Sequence, residues 1–295
     1  MRYPDPNHRS KAIIIITLFA AVLFGSAGPA GAVDDDLTKG TRSAIERSAL
    51  PPAEKDLLAA HARQAVRSGI PAADVEAVVA RGLERNVGSA GITGLLDLAV
   101  QAKNESMPVK ALMSRIEQGL AKQVPQERIA AAVKRLVGHL AAARPVVDDL
   151  VSKGVSARNV AVKDTAVETV ARAYERSIPA DAVSDTAGRI IERKGSLVLF
   201  DRAVGAITDL VEFGVPADSA AGLVKQGLAR GYSEKDFDRM QQQITDSIRR
   251  GKSPEDAAKA QHDDLGRDRR DDRRGGARDG GSERRGDSVR GGRGK

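Results

Sequence analysis

Apolar residues follow helical spacing through most of the chain. After Pro71 they fall at Val75, Val79 and Leu83, and after Pro108 at Leu112, Ile116 and Leu120, so that each set lies on one helical face. A second stripe follows the first: Ile129, Val133, Leu136 and Leu140 in one stretch, Phe200, Val204, Ile207 and Val211 in another, and Phe237, Met240, Ile244 and Ile248 in a third. These are core positions on helices, and no stretch indicates a strand.

The stripes recur because the sequence recurs. Pro71 to Gly88 aligns without a gap on Pro108 to Pro125, and Pro179 to Ser196 on Pro216 to Ser233, each at an offset of 37 residues. The copy at Pro179 has Ile190-Ile191 where the others have Gly-Leu. Each unit has two junctions: the starting proline and a second break 17 residues on, at Gly88, Pro125, Ser196 or Ser233. Run in both directions, the frame starts units near residues 34, 71, 108, 145, 179 and 216, with a truncated seventh at Ser253-Pro254. The unit at Pro145 is three residues short and breaks early at Gly154-Val155-Ser156.

The junctions Gly69-Ile70-Pro71, Gly214-Val215-Pro216 and Ser177-Ile178-Pro179 carry stop and start chemistry. Glycine accepts the left-handed geometry that ends a helix, the next apolar residue packs back on it, and proline opens the following helix. Short links make neighbouring helices antiparallel. A hairpin of this size cannot bury its own apolar face, so consecutive hairpins must stack. The expected fold is all-α, an α-solenoid or multi-helix array of stacked hairpins, occupying residues 33–260. Ala130 to Ala132 and Ala141 to Ala143 are expected to face inward and let helices approach closely.

The unit length is near that of tetratricopeptide repeats, but their Trp, Gly and Tyr signature is missing. The stretch Gly119 to Pro125, Gly-Leu-Ala-Lys-Gln-Val-Pro, resembles uncharacterised exported bacterial α-helical repeat proteins with similar glycine-leucine and valine-proline punctuation. The resemblance covers most of residues 50–235. It implies helices and export, and brings no activity or catalytic residue with it.

Export is also written in the first residues. Arg9 and Lys11 precede an apolar run from Ala12 to Phe24, followed by small residues up to Ala30-Gly31-Ala32. That is the three-part order of a signal peptide over residues 1–32, with Ala30 and Ala32 fitting the peptidase cleft and cleavage expected before Val33. The mature protein is then expected in the periplasm or outside the cell. The alternative is a retained N-terminal membrane anchor, since no charge interrupts Ala12 to Val33. It is disfavoured because Gly25, Gly28, Pro29 and Gly31 weaken the second half as a helix.

Charge changes meaning once it is divided by segment. The formal net charge is +7. Residues 1–32 contribute +2 and residues 266–295 contribute +5, which leaves zero for residues 33–265. The folded part is therefore electrically balanced. The segment 261–295, rich in arginine, glycine and acids, is expected to be disordered because it has too few apolar residues to offset the entropy of folding. Arg269, Arg270, Arg273, Arg274, Arg284, Arg285, Arg290 and Arg293 are its candidate contacts to an anionic partner. Without aromatics for base stacking, an envelope polymer or lipid headgroup suits it better than nucleic acid, which remains the alternative.

Candidate chemistry is sparse. With no cysteine, thiolate metal sites, cysteine nucleophiles and disulfides are excluded. His61, His139 and His262 have no second ligand at helical spacing suited to zinc, and Asp148-Asp149 has no calcium-loop pattern around it. No phosphate-binding glycine loop or Gly-x-Ser-x-Gly elbow occurs, and Gly88 to Gly94 reads as a helix junction. The expectation is a non-enzymatic protein without cofactor or metal, binding an unidentified protein or peptide partner.

Overall fold

The computed structural model describes residues 37–275, with side chains as far as Leu265. All described residues belong to one unit, Asp36–Lys295. Twelve helices and no strand occur among them: α1 (Lys39–Arg47), α2 (Pro52–Arg67), α3 (Ala72–Glu84), α4 (Ser89–Asn104), α5 (Lys110–Ala121), α6 (Gln126–Ser152), α7 (Val160–Glu175), α8 (Ala180–Glu192), α9 (Leu197–Glu212), α10 (Ala217–Ala229), α11 (Glu234–Arg249) and α12 (Pro254–Gly275).

The repeat frame marks nearly every helix start. Pro71, Pro179 and Pro216 are the N-caps of α3, α8 and α10, while Pro51, Gly88, Pro125, Ser196 and Ser233 are those of α2, α4, α6, α9 and α11. Three starts are displaced: α1 is capped by Thr38, four residues after the frame position, α5 by Val109, one residue after Pro108, and α7 by Asn159, beyond the break at Gly154-Val155-Ser156. From α2 to α11 the helix ends obey one rule: each stop has a residue of positive φ, followed by one whose N–H reaches the carbonyl five residues back, as in Ile70 to Ala65, Val124 to Gly119 and Val215 to Leu210. The end of α1 is the exception, with Ser48 in extended backbone at φ −66°. Glycine takes the positive-φ position at Gly69, Gly154, Gly214, Gly231 and Gly251, but Asn86, Ser106, Gln123, Ser177 and Lys194 hold it without glycine. Ile70, Val155, Ile178 and Val215, one residue on, are buried and fold each junction back onto the core.

First helices stack on first helices: α1 on α3, α3 on α5, α8 on α10 and α10 on α12. Second helices do the same, α2 on α4, α7 on α9 and α9 on α11. Leu112, Ile116, Leu120, Phe200, Val204, Phe237 and Met240 are all buried, as their spacing predicts.

The unit expected to start at Pro145 does not start there. Pro145 lies inside α6, which runs unbroken for 27 residues. Left-handed stop residues occur at 69, 106, 177, 214 and 251, and the missing member of that series falls at Ala143, a strong helix former with no glycine beside it. An internal proline costs about 3 kcal/mol. Val147 and Leu150 continue the stripe of Ile129, Val133 and Leu140 and are fully buried, each worth roughly 1.5–3 kcal/mol. The stripe wins. The early break at Gly154-Val155 is present, but α7 begins only after Asn159, whose side chain accepts from Val162 N–H at 3.0 Å.

Two further expectations are corrected. Of the alanines in Ala130 to Ala132 and Ala141 to Ala143, Ala143 alone is buried, while Ala131, Ala141 and Ala142 are exposed. They lie opposite the stripe that docks α6. Close approach comes instead from the glycine of Gly-Leu: a Cβ on Gly82 would sit 2.7 Å from Ile92 Cγ1, and one on Gly119 the same distance from Ile129 Cγ1. The folded region also extends past residue 260. Leu265 is buried, Ala257 and Ala258 dock α12, and its helical backbone continues to Gly275. Residues 276–295 lie outside the described residues.

Gly119→Ala is expected to lower unfolding stability in urea by about 1–3 kcal/mol through overpacking against Ile129. Gly138→Ala, at an exposed mid-helix site with nothing within 4 Å of the added methyl, is expected to raise it by about 0.5–1 kcal/mol. Equal effects at the two sites would contradict the hairpin geometry.

Candidate binding surface

The 37-residue period reappears as side-chain contacts between residues one repeat apart. Arg81 pairs with Glu117 at 3.4 Å, Arg172 with Asp209 at 2.9 Å, Arg176 with Glu212 at 2.9 Å and Arg202 with Asp238 at 3.2 Å. Asp209 also accepts from Gln241 at 2.8 Å, so one carboxylate joins α7, α9 and α11. Stacked helices bring equivalent positions together, and opposite charges at equivalent positions therefore meet. These pairs are partly exposed, which limits each to about 0.2–1 kcal/mol. They fix register more than they add stability.

Carboxylates from one helix also sit at the N-terminus of another. Ser89, at the first position of α4, donates to Glu54 of α2, and Thr38, the N-cap of α1, donates to Glu76 of α3. Glu168 of α7 accepts from the Ala111 N–H in the first turn of α5, a helix without a side-chain cap of its own. Each places negative charge where helix dipoles favour it. Glu168 nonetheless titrates above the usual glutamate range. Burial is the largest cause, Asp164 and Asp201 add to it, and the Ala111 N–H and Lys110 oppose it. Arg115 forms a two-pronged pair with Glu175 at 2.9 and 3.0 Å, and so ties α5 to α7 alongside Glu168.

Open clefts punctuate the stack among the described residues, and three of them lie at or between first helices or near its end. At its start, α1 has nine residues where α3 has 13, so the last turn of α3 is uncovered and a cleft of about 520 Å³ opens beside Ala44, Leu50, Leu83 and Val87, with Glu76 and Glu84 also lining it. A second, of about 410 Å³, lies between α8 and α10 with Asp181, Asp185, Asp218 and Lys225. The third, about 540 Å³ between α11 and α12, is lined by polar groups including Arg239, Asp246 and Asp264.

Of the residues singled out by the sequence, Asp148 meets Lys163 at 2.6 Å and Asp149 meets Lys153 at 2.7 Å, as ordinary ion pairs, and His61 is the histidine brought to a partner. Its Nδ1 lies 2.8 Å from Asp97 Oδ1, 36 residues on, a spacing that a search within one helix misses but the repeat offset contains. His139 is half-buried on α6 and His262 is exposed on α12. Among the described residues no group of three or more His, Asp or Glu is arranged to hold a metal ion, and no helix is long and apolar enough to cross a membrane. Arg269, Arg270, Arg273 and Arg274 fall on the helical backbone of α12. Arg284, Arg285, Arg290 and Arg293, with Ala30, Ala32 and Val33, lie outside the described residues. Comparison of the chain with protein-family models, curated proteins and solved structures finds no match.

Because the Glu168 carboxyl titrates high when folded, its stabilising contribution is complete below about pH 4.5 and is lost as pH rises through its folded value. Glu168→Gln is therefore expected to gain stability relative to the parent as pH climbs above about 4.5, and to level off once pH has passed the folded value. Urea unfolding across that rise in pH checks it. A difference that is constant with pH, or that favours the parent at pH 7, would contradict the assignment.

Proposed function

We propose that the chain is an exported, non-enzymatic helical-repeat protein that binds a protein or peptide partner in the cell envelope as a scaffold. The supporting observation is the stacking itself: equivalent helices lie side by side, so equivalent faces recur along the array. Such an array offers extended contact to a polypeptide and needs no enclosed cavity. The signal-like first 32 residues support the envelope as its place of action, and the arginine-rich end supports an added electrostatic contact to an anionic polymer or headgroup.

Since Leu265 is buried and α12 continues to Gly275, the informative truncation removes residues 276–295 and leaves α12 whole. The chain from Val33, with and without that segment, is used to capture partners from envelope extract. The expected result is a specific polypeptide retained equally by both forms. Binding that disappears with the truncation and weakens steeply with salt would move the function to the tail.

A further inference from the structure

Two rows of packed helices hold successive hairpins together, and both rows change at α6. First helices stack as α1, α3, α5 and again as α8, α10, α12, but α5 and α8 do not stack on one another. The second row passes from α4 to α7 through α6. Among the described residues, α6 is therefore the one helix packed against both halves of the array, against α4 and α5 before it and against α7 and α8 after it. Elsewhere two helix pairs resist rotation between neighbouring hairpins. Here a single rod does.

That rod has a proline in its interior, Pro145. Proline leaves the Ala141 carbonyl without its helical partner and crowds it, which is the usual cause of a sharp bend, and Pro145 lies on the exposed side of the helix. Polar contacts divide at this residue. Arg144 donates to the Ser106 carbonyl just past the end of α4, whereas Asp148 pairs with Lys163 of α7 at 2.6 Å. Arg144 and Asp148 meet each other across the proline at 3.6 Å.

Two side-chain ties run directly from one half to the other. Arg115 of α5 holds Glu175 of α7 through two bonds of 2.9 and 3.0 Å. Glu168 of α7 accepts from the Ala111 N–H in the first turn of α5. The second tie stands in for a local one: α3, α8 and α10 have Asp74, Asp181 and Asp218 in their own first turns, while α5 has no acid there and begins with Lys110. The negative charge at the start of α5 thus comes from across the divide. The Arg115–Glu175 pair is partly exposed, so it is weak enough to break and re-form.

We propose that the array bends at Pro145, with α6 as the hinge and the Arg115–Glu175 and Glu168–Ala111 ties as the latch that holds it closed. Each half moves as a body. The inference concerns motion of the fold and stands apart from the partner-binding reading; where that reading holds, the hinge sets the angle between the faces that the two halves offer.

Because the chain has no cysteine, spin labels can be attached to introduced pairs in the chain from Val33 to Lys295. Exposed Ala60 on α2 and Gln242 on α11 span the divide, while Ala60 with Lys122, and Glu192 with Gln242, each stay within one half. Pulsed dipolar spectroscopy reads the distances. The spanning pair is expected to show a distribution about twice as wide as either pair within a half. Arg115→Ala with Glu168→Ala is expected to widen it further while both pairs within a half keep their parent widths, which separates release of the latch from loss of fold. Exchanging the charges, Arg115→Glu with Glu175→Arg, is expected to keep the parent distribution, and Pro145→Ala to narrow it. A spanning pair as narrow as the others in parent and latch variant, a width untouched by Pro145→Ala, or equal broadening of all three pairs in the latch variant would overturn the proposal.

Discussion

A pair of short helices has more apolar surface than the pair can cover. Each hairpin here leaves a face that water must hydrate unless another hairpin lies on it, and burying each Leu, Ile or Val side chain is worth roughly 1.5–3 kcal/mol. Everything else in the molecule follows from satisfying that need repeatedly. Prolines and left-handed residues set the hairpin length, and Gly82 and Gly119 let the two helices of a hairpin touch. The charge ladder contributes much less per pair, and its effect is to hold one stacking register against neighbouring ones.

The interruption at α6 shows how local and global preferences compete. Proline resists a helix interior, but nothing at Ala141-Ala142-Ala143 offers the chain a way to turn, and Val147 and Leu150 extend the docking stripe without a phase change. The resulting long helix takes the place of a junction, leaves the following unit three residues short, and brings α7 beside α5 through Arg115 and Glu175.

Much of the architecture was legible because its determinants are local. Starting prolines, serine caps and the apolar residue after each stop act within a few residues, so they recur visibly at the repeat interval. Leu112, Ile116 and Phe200 are buried where periodicity places them. What escaped depended on geometry or on residues far along the chain. The fused helix required noticing that residue 143 lacks a stop, against the stronger visual signal of Pro145. The inward assignment of Ala131 and Ala142 failed because alanine content says nothing about which side of a helix it occupies; their angular distance from Ile129 and Leu140 does. Leu265 was hidden by the charged sequence around it. The partners of Arg81, Arg172 and His61 were readable in principle, since each stands one repeat away.

The central claim is that stacked hairpins hold positions one repeat apart in side-chain contact. Because the chain has no cysteine, it can be tested with introduced pairs at Arg81 and Glu117, at Arg172 and Asp209, and at Arg202 and Asp238, treated with a short bifunctional thiol reagent at low protein concentration. Efficient intramolecular linkage at all three pairs is the predicted result. Linkage at none of them, or only between molecules, would contradict the stacked repeat.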